Sequence, residues 1–182
     1  MIKKLVQLIM IVGCMMNLSA CSQTIFTWHE EVKLNDGRII VVEQKKRSDG
    51  RIAREAWLTI NLPEFSAKPL VWHENLDPLI LNVSEGRLYV VGTPPTVREA
   101  RLYGNPSPPY IGFLWESESW KRIPFEQIPK AIYATNMLIE SFPPKDTTLL
   151  TLVKKESVEV NGDPTIPKYF KRIDPKFIYP SK

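Results

Sequence analysis

Apolar and polar residues alternate along much of this chain in short runs that end at turn residues. Alternation with a period of two predicts strands with one buried face, because successive side chains of a strand point to opposite sides. Three pairs of runs are each joined by a short turn: residues 28–34 and 38–44, residues 79–83 and 88–91, and residues 110–116 and 119–124. The first turn contains Asp36-Gly37, which favours a tight hairpin because glycine adopts positive φ freely. The pattern therefore predicts consecutive antiparallel hairpins.

Two further runs lie between the first and second hairpins, over residues 55–62 and 69–74. The apolar face of the first consists of Ala56, Leu58, Ile60 and Leu62. All 16 prolines lie at or after Pro63, and this density suits short strands and long connections better than a helical bundle. We therefore predict a mainly β fold, a single domain of consecutive antiparallel hairpins that form a sandwich or an open barrel-like sheet, with one or two short helices.

Helical spacing is strongest in residues 128–139. Six residues fall on one helical face: Ile128, Ala131, Ile132, Thr135, Leu138 and Ile139. Pro129 suits the first turn of a helix, and Pro143-Pro144 would end it. A helix is therefore predicted here, whereas residues 96–103 are ambiguous and residues 149–160 fit either a helix or a strand.

The N-terminal residues show a pattern that is typical of an export signal. Lys3 and Lys4 precede an apolar run over residues 5–16, and small residues follow before Cys21. A charged start, an apolar run and small residues at the cleavage point occur in this order in secretory signals. The run is shorter than the ~20 apolar residues that a helix needs to span a bilayer.

The tetrapeptide Leu18-Ser19-Ala20-Cys21 resembles the lipobox of bacterial lipoproteins. The resemblance implies that diacylglycerol is attached to the Cys21 thiol, that the chain is cleaved before this residue, and that the new amine receives an acyl chain such as palmitate. The alternative is an ordinary signal peptide with a chance cysteine. Ser22 stands where an aspartate would retain a Gram-negative lipoprotein in the inner membrane. The resemblance therefore implies the periplasmic face of the outer membrane.

These features divide the chain into four parts. Residues 1–20 form the cleaved signal peptide, residues 21–24 the lipidated cysteine with a short tether, residues 25–164 the β-rich domain, and residues 165–182 a basic C-terminal tail with prolines. The tail interleaves cations and aromatic residues: Lys168, Tyr169, Phe170, Lys171, Arg172, Lys176, Phe177, Tyr179 and Lys182. It would contact anionic lipid or glycan or, in the simpler interpretation, lie in solvent with its aromatic residues holding it in place.

The net charge and the cysteine content exclude several classes of function. The net charge is +4, and loss of Lys3 and Lys4 leaves about +2, which is too balanced for a nucleic-acid-binding surface. Cys14 leaves with the signal peptide and Cys21 carries lipid, so the mature domain has neither a free thiol nor a disulfide. This excludes a thiol enzyme and a cysteine metal site.

The two histidines, His29 and His73, each occupy the middle of a Trp-His-Glu tripeptide, at residues 28–30 and 72–74. A paired site would use both imidazoles and nearby carboxylates to bind a metal or move a proton. The simpler interpretation has each tryptophan in the core and each His-Glu pair at the rim. The sequence has no close metal-ligand spacing, nucleophile elbow or phosphate loop, so we assign no catalytic residue, metal or cofactor.

Each Trp-His-Glu tripeptide precedes a similar hairpin segment, at residues 36–42 and 85–91. The similarity could reflect an internal duplication, since repeated units of this size occur in tandem β architectures. Independent origin fits equally well, because hairpins in general share turn glycines and β-branched residues.

The body of the chain resembles bacterial lipoproteins of no assigned activity, through EVKLNDGR at residues 31–38, REAWLTI at residues 54–60 and WHENL at residues 72–76. The resemblance implies export and lipidation and transfers no functional residue. We expect a membrane-tethered envelope protein with a non-catalytic binding or structural domain, whose partner is an envelope protein or glycan and not nucleic acid. The alternatives are an immunity or inhibitor lipoprotein directed at a toxin or envelope hydrolase, and an envelope enzyme that uses His29 and His73.

Cys21→Ser is expected to abolish lipid attachment, because serine lacks the thiol on which the thioether forms. Mass measurement of the N-terminal peptide and fractionation of membranes check this. Cys14→Ser is the matched control and should leave the acylated product unchanged. A Cys21→Ser protein that still carried lipid would refute the assignment.

Overall fold

The computed structural model describes residues 24–50, 52–139 and 142–178. Strand structure begins at Thr24, next to the predicted start of the domain at Ile25. The predicted signal peptide and Cys21 lie outside the described residues, so their processing stays a prediction. In the ranges just given, no helix is both long and apolar enough to cross a bilayer.

Nine strands within the described residues form two sheets. They are β1 (Thr24–Lys33), β2 (Ile39–Asp49), β3 (Ile52–Ile60), β4 (Leu70–Glu74), β5 (Asp77–Ser84), β6 (Arg87–Thr93), β7 (Ile111–Glu116), β8 (Ser119–Ile123) and β9 (Leu149–Leu150). Sheet A has the order β4-β3-β2-β1-β9, and sheet B has the order β5-β6-β7-β8. All neighbouring strands are antiparallel except β9, which runs parallel to β1.

The mainly β prediction is confirmed, and the three predicted hairpins are present as β1–β2, β5–β6 and β7–β8. Gly37 and Gly86 stand in the first two turns with φ of +89° and +70°. Residues with a β-carbon rarely adopt such values, which explains why glycine marks both turns. A further hairpin joins β2 to β3, with Asp49 opposite Ile52 at its end.

The two sheets pack face to face on a shared apolar core. Buried side chains of both sheets form one cluster, which includes Val42, Leu58, Trp72, Leu81, Leu88, Val90 and Phe113. The rings of Trp72 and Phe113 meet edge to face across the sheets with centroids 5.5 Å apart. A β-sandwich results, with each sheet contributing one face of alternating residues.

The outer face of sheet B is also buried, beneath the C-terminal half of the chain. The second cluster joins Leu79, Ile80, Tyr89, Val91 and Leu114 of the sheet to Ile128, Ile132, Tyr133 and Ile173 of the covering segments. The residues of this cover come from irregular chain, two 3₁₀ turns (Phe125–Gln127 and Lys130–Ile132) and the start of the C-terminal tail. Ile173 is only 1% exposed, so the tail packs on the domain.

Three short helices occur in the described residues: α1 (Val97–Leu102), α2 (Leu152–Lys155) and α3 (Lys168–Lys171). Thr96 caps α1 by accepting a hydrogen bond from the Arg98 backbone. Thr151 caps α2 in the same way, through the backbone N–H of Lys154. The ambiguous residues 149–160 thus contain both a strand, β9, and a helix.

The predicted helix over residues 128–139 is wrong, because the structure has only the 3₁₀ turn Lys130–Ile132 there. Its apolar residues do not cover one surface. Ile132 belongs to the cluster on sheet B, Met137 to the core between the sheets, and Leu138 to a third cluster around Trp28. An extended chain can reach three separate clusters, whereas one helical face cannot.

The two Trp-His-Glu segments occupy different places in the fold. Residues 28–30 lie in β1, which pairs directly with β2, the strand of the following hairpin. Residues 72–74 lie in β4 of sheet A, whereas the hairpin that follows them belongs to sheet B. The two copies therefore have no common structural unit, which favours coincidence over duplication.

Leu58→Ala is expected to lower the free energy of unfolding by about 2–5 kcal/mol, because Leu58 is fully buried between the sheets and the alanine leaves a cavity. Urea denaturation checks this. Val71→Ala, at a half-exposed position of the neighbouring strand, is the control and should change stability by about 0.5 kcal/mol or less. Similar losses in both variants would contradict the assignment of the core.

Candidate functional site

His29 and His73 do not form a common site. Both lie on the outer face of sheet A, His29 in β1 and His73 in β4, with β2 and β3 between them. Three inter-strand spacings and an offset of two residues along the strands place them about 16 Å apart. Both imidazoles are exposed, whereas Trp28 and Trp72 are buried. The interpretation that places each tryptophan in the core and each histidine at the rim is therefore confirmed.

His73 is part of a row of side chains on the outer face of sheet A. Its ring stacks on Trp57 with centroids 4.4 Å apart, and Lys45 lies 5.0 Å from the Trp57 ring on the other side. The Nε2 atom of His73 lies 2.7 Å from Oε1 of Glu55, and the other carboxylate oxygen, Oε2, accepts a hydrogen bond of 2.6 Å from Arg47. Each of these groups is engaged with a neighbour across the strands.

Glu55 remains a carboxylate in this row. Burial alone would raise the pKa of Glu55, but the hydrogen bonds from Arg47 and His73 outweigh it and hold the pKa below its usual value. The arrangement stabilises sheet A and supplies no raised carboxyl pKa for acid catalysis. Among the described residues, no group of three or more His, Cys, Asp or Glu residues is placed to hold a metal ion.

Glu30 is the exception to the rim prediction, since it is completely buried. It lies on the inward face of β1 with Trp28, as strand alternation requires. Its carboxylate accepts hydrogen bonds of 2.7 Å from Lys155 Nζ, 2.6 Å from Gln44 Nε2 and 2.8 Å from the Leu138 backbone. Sequence reasoning missed Lys155, because nothing in the chain's local pattern indicates that α2 packs on β1.

A second buried ion pair joins the two sheets. Lys46 of β2 donates a hydrogen bond of 2.7 Å to Asp77, at the start of β5. Lys46 is fully buried and also lies 5.7 Å from the Trp28 ring. In sequence, Lys46 lies between Lys45 and Arg47 and resembles part of a solvent-exposed run of charges. In the structure, the alternation of side chains along β2 directs Lys46 into the core and its two neighbours to the outer face.

The best candidate for ligand binding is a groove at the C-terminal end of the chain, which we call the basic groove. It has a volume of about 470 Å³ and is lined by Lys130, Tyr133, Lys168, Tyr169, Arg172 and Asp174, among others. Backbone pairing fixes its two sides: Ile173 donates a hydrogen bond of 3.0 Å to Tyr133, and Thr135 one of 3.1 Å to Lys171. The predicted tail thus forms one wall.

The cations of the basic groove lack acidic partners. Lys130, Lys168 and Arg172 are exposed, and none forms an ion pair with any described residue. Six cations elsewhere in the described chain are paired within 3.4 Å: Arg38, Lys46, Arg47, Arg54, Arg87 and Lys155. Other exposed lysines, such as Lys121, have no ion pair in the described chain either, so what distinguishes the groove is that three such cations line one space. The groove therefore combines positive charge with open space.

Aromatic rings form the walls of the basic groove. Tyr169 stacks on Phe177 with centroids 3.8 Å apart, and the Arg172 guanidinium lies 5.9 Å from the Tyr133 ring. Burial raises the pKa of Tyr133, with Glu126 acting in the same direction and Arg172 opposing it. The phenol is therefore neutral at physiological pH and able to donate a proton in a hydrogen bond.

The sequence indicated half of the basic groove. The tail was recognised as basic and aromatic, whereas Lys130 and Tyr133 fell within the wrongly predicted helix. Another cavity, of about 450 Å³, has four asparagines in its lining: Asn35, Asn82, Asn136 and Asn161. Each of their side-chain amides bonds to backbone groups, which indicates a structural role for them.

Comparison with known proteins identifies no relative: no family model, no curated protein and no solved structure matches this chain. Interpretation of the groove therefore rests on its chemistry.

Lys155→Met is expected to lower the free energy of unfolding by about 3–5 kcal/mol, because it leaves the Glu30 carboxylate buried without a counter-charge. Lys154→Met is the matched control: this neighbour in α2 is exposed, and about 0.5 kcal/mol or less is expected. Chemical denaturation measures both. The double variant Glu30→Gln/Lys155→Met should regain part of the loss, and equal stability of the two single variants would contradict the assignment.

Proposed function

We propose that this protein is a lipid-anchored protein of the bacterial envelope that binds an anionic ligand in the basic groove. The observation that carries the binding role is the convergence of three unpaired cations on one groove with aromatic walls. The anchor rests on the Leu18-Ser19-Ala20-Cys21 tetrapeptide and on the strand that begins at Thr24.

Binding is favoured over catalysis by the placement of the groups that could move protons. The imidazoles of His29 and His73 are separated by two strands. Glu30 and Lys155 are buried and saturated with hydrogen bonds to each other and to their neighbours. Glu55 is held in its ionised form by Arg47 and His73. These groups maintain the sandwich.

The ligand that suits the basic groove carries a phosphate or carboxylate group. The Arg172 guanidinium presents paired donors that match two oxygens of such an anion, and Lys130 and Lys168 add positive charge. The Tyr133 phenol supplies a further donor. Tyr133 and Tyr169 present rings that pack on a sugar or another flat apolar part of the ligand. A volume of about 470 Å³ suits a small molecule, since such sites measure about 300–1,000 Å³.

Pyrophosphate serves as the probe for this proposal, with binding followed by titration calorimetry at low salt. Arg172→Gln and Lys168→Gln are each expected to weaken binding about tenfold, since each removes a charge-assisted contact. Lys121→Gln, at an exposed lysine of β8 outside the groove, is the matched control and should bind as the unaltered protein does.

The affinity should also fall as salt is added, because the groove cations are exposed and therefore screened. Undetectable pyrophosphate binding, or equal loss in Lys121→Gln and Arg172→Gln, would contradict the assignment of the groove. Undetectable binding would rule out phosphate-type anions as ligands of the groove. Equal loss in the two variants would show that the affinity depends on the net charge of the protein and not on the groove.

A further inference from the structure

The end of sheet A where the described chain begins has exposed apolar residues on adjacent strands. Ile25 and Phe26 of β1 are 55% and 39% exposed, and Ile52 of β3 is 36% exposed. The register places them together: Ile25 is opposite Arg47, Phe26 opposite Lys46, and Ile52 opposite Asp49, all in β1–β3 near the β2–β3 turn. Exposed apolar residues are common on proteins, and Ile39 and Val41 are also exposed towards the other end of β2, so the choice of this end rests on where the chain enters the sheet.

These side chains surround the end of the sheet and do not cover one of its faces. Successive residues of a strand point to opposite sides, so Ile25 lies on the outer face and Phe26 on the inner side of β1. The Phe26 ring packs against Phe142 with centroids 4.5 Å apart. A partner that covered one face of sheet A would contact Ile25 or Phe26 but not both, whereas a surface that meets the sheet end-on contacts both.

The chain itself indicates what that surface is. Thr24, where β1 starts, is three residues after Cys21 in sequence, and three residues reach at most ~10 Å. Lipid on Cys21 therefore holds this end of the sheet within about 10 Å of the bilayer surface, wherever the rest of the domain lies.

We propose that this end of sheet A docks into the lipid surface, with Ile25, Phe26 and Ile52 inserted among the headgroups and the β1–β2 turn directed away from the membrane. This inference rests on the proposed lipid anchor. Lys45 and Trp57 lie opposite each other two residues further along the strands, about 7 Å from the Ile25 level. Tryptophan and lysine are residue types that favour the membrane–water interface, so their place beside the apolar end agrees with docking there.

The opposite end of sheet A provides an internal reference. Ile39 is 56% exposed, as Ile25 is, but lies at the start of β2 beside the β1–β2 turn. The 11 residues of β2 separate the two ends by about 30 Å. Docking end-on therefore places Ile39 in water, and docking through the outer face of sheet A would place both positions at lipid.

The test uses the full lipidated chain, reconstituted in vesicles of phosphatidylethanolamine and phosphatidylglycerol. Beyond Cys21 the chain has no other cysteine, so Ile25→Cys, Ile52→Cys and Ile39→Cys each give one site for an environment-sensitive fluorophore. Labels at positions 25 and 52 are expected to shift to the blue and to lose at least half of their emission to lipid-borne quenchers. The label at position 39 should show neither effect.

Circular dichroism verifies that each labelled variant is folded. Two positions are labelled at the docking end so that the test still stands if one of the two variants does not fold. The mass of the N-terminal peptide, measured on the same sample, distinguishes the possible failures. A peptide without acyl chains would overturn the anchor and the docking together. An acylated protein whose three labels all report water, or all report lipid, would overturn end-on docking and leave the anchor intact.

Discussion

The carboxylate of Glu30 is the group on which the arrangement of the C-terminal half depends. Removing a carboxylate and an ammonium group from water costs several kcal/mol for each ion, and only complete hydrogen bonding in the interior offsets this. Glu30 receives three donors, and Lys155 distributes its own three protons over Glu30, the Glu31 carbonyl and the Asn136 carbonyl. Residues 136–138 and helix α2 must therefore be placed together against β1, because a partial set of contacts would leave a charge uncompensated.

The Lys46–Asp77 pair gives the same precision to the stacking of the sheets. Apolar packing alone tolerates small shifts, since dispersion contacts are not directional. An ion pair of 2.7 Å between a fully buried lysine of sheet A and an aspartate of sheet B does not tolerate them. Buried charges in this protein thus specify position, whereas the aliphatic and aromatic core supplies the driving force for folding.

The sequence was informative wherever structure is determined locally. Asp36-Gly37 and Glu85-Gly86 predicted two hairpins because a turn depends on the residues within it. The alternation of residues 55–62 identified a buried face, and Ala56, Leu58, Ile60 and Leu62 are all buried. Such features require no knowledge of distant residues. The mainly β fold followed from them, together with the distribution of the prolines.

The sequence was uninformative where partners are distant. Ile132 and Leu138 matched helical spacing by chance, since each is buried by a different part of the fold. Lys130 reaches the basic groove through the pairing of Ala134 with Arg172, 38 residues later. Glu30 and Lys155 are 125 residues apart. No window of the sequence contains both members of such pairs.

The separation of Glu30 and Lys155 has a consequence for how the chain matures. Strand β1 is synthesised early, yet Lys155, the cation that neutralises Glu30, follows only after about four-fifths of the chain. Until Lys155 is present, the inner face of β1 cannot be buried without leaving the Glu30 carboxylate uncompensated. A truncated product that lacks Lys155 therefore keeps an uncompensated carboxylate in β1 and is expected to be more exposed to proteolysis than the complete chain.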